Sequence, residues 1–331
     1  MIITRTPYRL SLFGGGTDFF EWYNENPTTI IVAAMDYYSY VLVTRKPKFF
    51  PEYISKIAYS DIEYVKHNTD IKHPSVRECL RYFNFETGLD LAHFGDLPAR
   101  SGIGSSSSFT VGLLKAIHGL KNSNVSKTQL FQEAIYIEQE MIGEAVGVQD
   151  QISAAYGGIN VIKLGPGKKI RVSALKASFT YTEYLRRSIL MGFTGLSRDG
   201  TAIIADHKNK IYSKEINNKL SEVSQICQEA TSMLSKEMEI EEIGKLLNHA
   251  WNLKKGFSDK ISPQMFDEIY KTAVKNGAVG GKLMGAGGSG FFYFLAPPQK
   301  HEKIKKALPE VRVWVPLRFA NKGSSFVTRI S

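Results

Sequence analysis

At 331 residues the chain exceeds the usual size of one domain, and a 43% hydrophobic content is enough for more than one core. The formal net charge of +10 points to an anionic partner, but the lysines and arginines are scattered, with no basic tail; this excludes a nucleic-acid-binding arm and fits small phosphorylated molecules. Two cysteines outside any CxxC or Cys/His cluster, no run of 18 apolar residues, and a start, MIITRTPYRL, without the apolar core of a signal peptide lead to the expectation of a reduced, cytoplasmic protein with no membrane span.

In chain order, a strand is expected over residues 2–13, interrupted near Pro7, with Leu10 and Leu12 alternating against Arg9 and Ser11. Gly14, Gly15 and Gly16 break it. Thr17 or Asp18 then caps a short helix over 19–24; beside three glycines, the Asp18 carboxylate is alternatively a ligand for sugar hydroxyls. Residues 28–34 and 38–44 read as paired strands turned at Asp36. After an irregular stretch, 46–68, a helix runs from His73 to about Phe85, and a strand over 89–94 comes next.

That strand feeds the most informative stretch, residues 97–114, LPARSGIGSSSSFTVGLL. Gly102 and Gly104 precede Ser105, Ser106, Ser107 and Ser108, and Phe109, Leu113, Ile117 and Leu120 mark one face of a helix. Glycine lets a ligand approach the main chain. A helix start offers free N–H groups and the positive end of a dipole, so this is an anion site, most naturally for phosphate. The alternative is a capped helix after a turn. Two more glycine-rich segments, LFGGGTD at 12–18 and KLMGAGGSG at 282–290, favour the phosphate reading.

Ser126 to Gln129 has capping-box spacing, and the helix after it carries Leu130, Ala134, Ile137 and Met141 on one stripe. Glu133 and Glu138 read as surface charges; Glu140 flanks the stripe near the helix end, where it can point toward an interior site. Asp150, between apolar neighbours and near glycines, is either a helix cap or a functional carboxylate. A strand over 159–164 leads to the turn Gly165-Pro166-Gly167, and a strand over 188–193 to Thr194-Gly195-Leu196-Ser197-Arg198. Helices are expected over 216–234, 240–255, 263–276 and 301–308, and strands over 279–284, 291–295, 311–315 and 326–330. Helices and strands mix without strict alternation, which gives an α+β class in two domains, 1–175 and 176–331. No GxxxxGK[ST] loop, protein-kinase set, Rossmann fingerprint or HExxH pattern occurs. A glycine-serine phosphate cradle remains, with Glu140 and Asp150 as candidate acids.

These residues match a family pattern. PARSGIGSSSS resembles the nucleotide loop, PxxxGLGSSAA, of the GHMP small-molecule kinases, and TPYRLSLFGGGTD and KLMGAGGSG resemble their first and third motifs. The three lie in family order and span nearly the whole chain. RTPYRLSLFGGGTDF is similar to the sugar-1-kinase branch, which holds fucokinases and heptose 7-phosphate kinases; GVQDQISAAYGGIN and KLMGAGGSGFFYF look like the latter. The resemblance implies two lobes, a ribosomal protein S5 domain 2-like N-terminal lobe and a ferredoxin-like C-terminal lobe. It implies a sugar phosphate and ATP as partners, Mg²⁺ as cofactor, and transfer to the anomeric hydroxyl of a heptose 7-phosphate in a monomer or homodimer, with no nucleic-acid or membrane partner. A kinase for L-fucose or a hexosamine, or a non-catalytic relative, is the alternative.

Residue by residue, the resemblance places Pro98, Arg100, Ser101, Gly102, Ile103, Gly104, Ser105, Ser106 and Ser107 around the ATP phosphates. Ser106 and Glu140 would hold Mg²⁺, with Ser107 or Ser108 able to share the role of Ser106 because the loop reads SSSS rather than SSAA. Asp150 would be catalytic, with Arg9 standing where mevalonate kinases carry a lysine. Gly15, Gly16, Thr17, Asp18, Arg198, Lys282, Gly285 and Gly287 would surround the acceptor. An acceptor phosphate is expected to meet cations among Arg198, Lys254, Lys255 and Lys282, with Arg198 and Lys282 first.

Overall fold

The computed structural model describes residues 1–46, 52–85, 87–195, 203, 206, 213–288 and 290–329, and the chain folds around two sheets. The first takes β1 (Ile2–Phe13), β2 (Thr28–Arg45), β3 (Ser55–Ala58), β4 (Ile62–Val65), β5 (Leu89–Gly95), β6 (Ile159–Gly165) and β7 (Lys169–Ala174). Its pairings are antiparallel except β3 with β5. Four helices cover it: α2 (Pro74–Tyr82), α3 (Ser105–Leu120), α4 (Lys127–Tyr136) and α5 (Gln149–Tyr156); a short α1 (Phe20–Tyr23) comes after the first glycine loop. Proline opens α2 at the one position where its missing N–H costs nothing. The expected cap of α4 forms, the Gln129 N–H donating to Ser126 Oγ at 3.1 Å. α3 is buried along almost its whole length, which explains its run of small and apolar residues.

The two strands expected over 28–44 are one strand. β2 pairs with β6 over its first half and with β5 over its second. At the crossover, main chain from the far end of the sequence supplies the bonds that a turn would have made internally: Asp36 N–H donates to Arg318 O at 2.8 Å and Ala320 N–H to Ala34 O at 2.9 Å. Local turn chemistry at Asp36 loses to tertiary pairing.

After α6 (Phe179–Ser188), which the sequence pattern did not reveal, the second sheet forms from β8 (Ile189–Phe193), β9 (Gly280–Leu283), β10 (Phe291–Leu295) and β11 (Val313–Val315), in the antiparallel order β11-β8-β10-β9. Its helices are α7 (Lys214–Ser235), α8 (Ile240–Lys255), α9 (Gln264–Lys275) and α10 (His301–Ala307). Trp251 of α8 meets Phe266 of α9 edge-on at 5.6 Å, and Phe266 lies 5.5 Å from Phe292 of β10. Each such fully buried ring is worth roughly 1.5–3 kcal/mol over its exposed state, so this cluster fixes α8 on its sheet. The two-lobed α+β expectation holds. From the end of the expected second domain, 176–331, β12 (Ser325–Arg329) returns to pair with β1 in the first sheet.

Candidate active site

The three glycine-rich segments converge between the lobes. Gly104 takes φ 70°, ψ 32° and provides no side-chain cap to α3, so the first-turn N–H groups keep the anion-binding potential of an open helix start. Gly285, at φ +62°, lies so close to the loop that a Cβ there would come within 2.6 Å of Gly102 Cα. Phe291 N–H donates to Ser101 O at 2.9 Å, and Arg9 N–H to Ile103 O at 3.0 Å, so strands of both lobes hold the loop. Pro98, Arg100 and Ser106 are exposed on it; Ser101, Ile103 and Ser107 are buried, and Ser105 Oγ accepts the Arg100 N–H at 3.2 Å.

Asp150 does not serve as the cap of α5; the N-cap is Val148, without a side-chain bond. Its carboxylate lies in the first turn, where the helix dipole favours the anion. Arg9 grips it in a fork, Nε to Oδ1 at 2.6 Å and Nη2 to Oδ2 at 2.9 Å, while Nη1 donates to Gly102 O. The Arg9 side chain is 6% exposed and that of Asp150 22%, so the carboxylate is anchored on one side and open on the other. Asp18 likewise caps no helix. It accepts the Gly16 N–H at 3.1 Å and Gln149 Nε2–H at 3.0 Å. Burial, helped by the nearby charge of Asp150, raises its pKa.

These groups line a cleft with about 680 Å³ of empty space continuous with solvent, walled by Arg9, Gly15, Gly16, Asp18 and Asp150 of the first lobe and by Lys254, Phe257, Ile261 and Gly285 of the second. Thr17 is fully buried, and Gly287 packs on the Ile261 backbone; neither lines the cleft. Of the four cations expected there, three lie among the described residues. Lys254 lines the cleft, its Nζ donating to Gly285 O at 2.6 Å. Lys282 is buried behind it, 3.5 Å from Ser11 Oγ, and does not line the cleft. Lys255 turns away to Asp267 at 3.7 Å. Arg198 lies outside the described residues. Burial lowers the Lys254 pKa to about 8 and pushes that of Lys282 well below the ordinary lysine range.

The acidic pair near the helix end is reversed. α4 gives way to a π-helical turn, Ile137–Ile142, which shifts the rotational position of the residues within it. Glu140, expected to face inward, is 51% exposed at its side chain and pairs with Lys168 at 3.1 Å. Glu138, expected on the surface, is fully buried; it accepts Ser107 Oγ–H at 2.8 Å and Gln151 Nε2–H on Oε2, while its Oε1 has no partner. Glu133, read as a surface charge, is buried against His118 at 2.8 Å. Burial pushes the Glu138 carboxyl up to about 7. A buried carboxylate with one orphaned oxygen beside a hydroxyl fits a hard cation such as Mg²⁺, which takes few protein oxygens and completes its shell with phosphate and water. Among the described residues no group of three or more His, Cys, Asp or Glu side chains is placed to hold a metal. Gln149 and Gln151, which flank Asp150 in the GVQDQ run, carry this geometry; composition alone gave them no role.

The family profile for the GHMP kinases N terminal domain matches residues 71–158, and that for the GHMP kinases C terminal matches 234–312. The chain is 28% identical over 324 residues, 95% of each sequence, to the D-glycero-alpha-D-manno-heptose 7-phosphate kinase of Campylobacter jejuni. It is 28% identical over 229 residues to the bifunctional fucokinase/GDP-fucose pyrophosphorylase of Arabidopsis thaliana, a match spanning 68% of this chain and 21% of that protein. In fold it is similar to a D-glycero-D-manno-heptose 1-phosphate kinase from Bacteroides thetaiotaomicron, with a TM-score of 0.80 and 23% identity over 100% of both chains.

Proposed function

Since the chain belongs to the GHMP kinase family and is an ATP-dependent sugar kinase, we propose that it phosphorylates the anomeric hydroxyl of D-glycero-D-manno-heptose 7-phosphate. The product is the 1,7-bisphosphate, a precursor of nucleotide-activated heptose for surface polysaccharide. The observation that carries the reading is Asp150, fixed by the Arg9 fork with its open side toward the cleft between two glycine loops. The relative from Campylobacter jejuni, matched along almost its whole length, supports the acceptor.

Phosphoryl transfer needs in-line positioning and charge neutralisation rather than covalent help. The backbone N–H groups of residues 102–107 hold the ATP phosphates at the start of α3. Glu138 and Ser107 would hold Mg²⁺, which would supply neutralisation of negative charge. Asp18 and Gln149 bind sugar hydroxyls. Asp150 orients the C1 hydroxyl and takes its proton as the new P–O bond forms and ADP leaves; a positioned base contributes about 10²–10⁴-fold. Arg9 keeps that carboxylate aimed.

A second reading, a kinase for a neutral sugar such as L-fucose, is favoured by one observation: among the described residues, Lys254 is the only cation lining the cleft besides Arg9, which is already engaged by Asp150. ADP release with MgATP against heptose 7-phosphate, heptose, L-fucose and hexosamines separates the two. Heptose 7-phosphate is expected to show by far the highest kcat/KM. Equal values for heptose and its 7-phosphate would reject the phosphate acceptor.

A further inference from the structure

We propose that Lys254 is a further catalytic residue, whose ammonium donates to the non-bridging oxygens of the phosphoryl group in flight; this rests on the kinase reading above. Arg9 is already committed to another task. Its guanidinium spends three of its five N–H donors, two on Asp150 from Nε and Nη2 and one on Gly102 O from Nη1, and these bonds fix its plane against the base. Arg9 is thus a positioning group.

Lys254 differs in each respect. It reaches the cleft from the last turn of α8, in the opposite lobe, and spends one of its three donors on Gly285 O at 2.6 Å. Among the described residues no carboxylate lies within ion-pair distance of it. The charge of a lysine that is only 9% exposed as a residue and has no carboxylate within ion-pair distance is costly unless an anion arrives. The charges around it come from Arg9 on β1, Asp18 in the first glycine loop, Asp150 on α5 and Lys282 on β9. The two cations disfavour its charged form and the two carboxylates favour it.

Its anchor fixes which anion it meets. Gly285 abuts Gly102, and Gly102 shares Arg9 with Asp150. Lys254, the phosphate loop and the base therefore ring the point where the acceptor oxygen meets phosphorus, whereas Phe257 and Ile261 form an apolar wall of the same cleft. During the step the acceptor O–P bond forms, the P–O bond to ADP breaks, and the hydroxyl proton passes to Asp150; Lys254 keeps its own protons throughout. A phosphate carried by the sugar is the other phosphoryl source, and the experiment distinguishes it.

Lys254→Met and Lys254→Arg are compared with the wild type in three measurements: transfer to phosphorylated and unphosphorylated heptose, slow ATP hydrolysis without acceptor, and binding of a non-hydrolysable MgATP analogue by calorimetry. Lys254→Met is expected to lose about 10²–10³-fold in kcat, by the same factor for both sugars and for hydrolysis, with analogue Kd and acceptor KM almost unchanged. Lys254→Arg, which keeps the charge on a different geometry, should recover part of that loss. Wild-type kcat in Lys254→Met, an effect confined to the KM of the phosphorylated sugar, or a matching loss of analogue affinity would each overturn the proposal. If the wild type ignores heptose 7-phosphate, the acceptor reading fails, but the hydrolysis comparison still decides the role of Lys254.

Discussion

Arg9→Met tests the central pair most directly. It removes three charge-assisted donors and leaves the Asp150 carboxylate without its partner. Breaking a buried ion pair from one side costs about 3–5 kcal/mol. The Asp150 side chain keeps 22% of its surface, so water can solvate it in part, and about 2–3 kcal/mol is expected here. For a chain of this size that is a fall in Tm of roughly 3–4 °C. The freed carboxylate also loses its aim, which should reduce kcat by about 10²-fold or more. The double variant Arg9→Met/Asp150→Asn carries no orphaned charge and should be more stable than Arg9→Met alone by roughly 1 kcal/mol or more. Thermal melts of the four proteins, with kcat for each, give the full cycle. A double variant no more stable than Arg9→Met, or an Arg9→Met enzyme with wild-type kcat, would refute the assignment of Arg9 as the group that holds the base.

Glu138→Gln should raise the Mg²⁺ concentration needed for half-maximal rate by about tenfold or more, whereas Glu140→Gln should leave it unchanged; a Mg²⁺ titration of both variants checks the exchange of roles. The free enzyme's kcat/KM should fall as pH rises through about 8, where Lys254 loses its charge, and this limb should vanish in Lys254→Met. Stability moves the other way: between pH 8 and the unfolded lysine value of 10.5 the unfolded chain binds the extra proton, so this group makes the fold more stable as pH rises, and pH-dependent melts of the two proteins read the difference. Gly147→Ala would put a Cβ 1.9 Å from Asp18 Oδ2, so it should raise acceptor KM and cost about 1–3 kcal/mol in denaturant unfolding, with little change in nucleotide affinity.

The elements that carry strong local signals were legible: α8 begins and ends where its apolar spacing and terminal lysines place it, and β10 matches its all-aromatic and aliphatic run. The glycine-rich loop and the start of α3 were legible too, because glycine spacing and a serine-rich helix start are local chemistry. The acidic pair was not. On an ideal helix Glu138 and Glu140 lie roughly 80° to either side of the stripe formed by Leu130, Ala134, Ile137 and Met141, so spacing cannot choose between them. The π turn decides, and it is set by packing rather than composition. The lysines failed as guides for a related reason. Lys254 and Lys282 both stand near element ends in sequence, and only the angle between the lobes determines which one opens to the cleft. The single long β2 was hidden because its decisive partners, residues 318–320, lie almost the whole chain away.

That distant pairing shapes the protein's birth. A nascent chain emerges from its N-terminus, so β1 is made first and finds β2 soon afterwards, but its other edge over Ile2–Arg5 stays bare until β12 has been translated. Throughout synthesis of the second lobe, the first lobe presents an unfinished edge strand, the feature that recruits foreign strands. Thr6 Oγ1 meets Ser324 Oγ at 2.8 Å and Arg329 Nη2–H reaches Asn122 Oδ1 at 2.8 Å only when that last strand arrives. The first lobe is therefore made before the second and sealed only after it, and an excised 1–175 fragment would retain the open edge that the full chain closes.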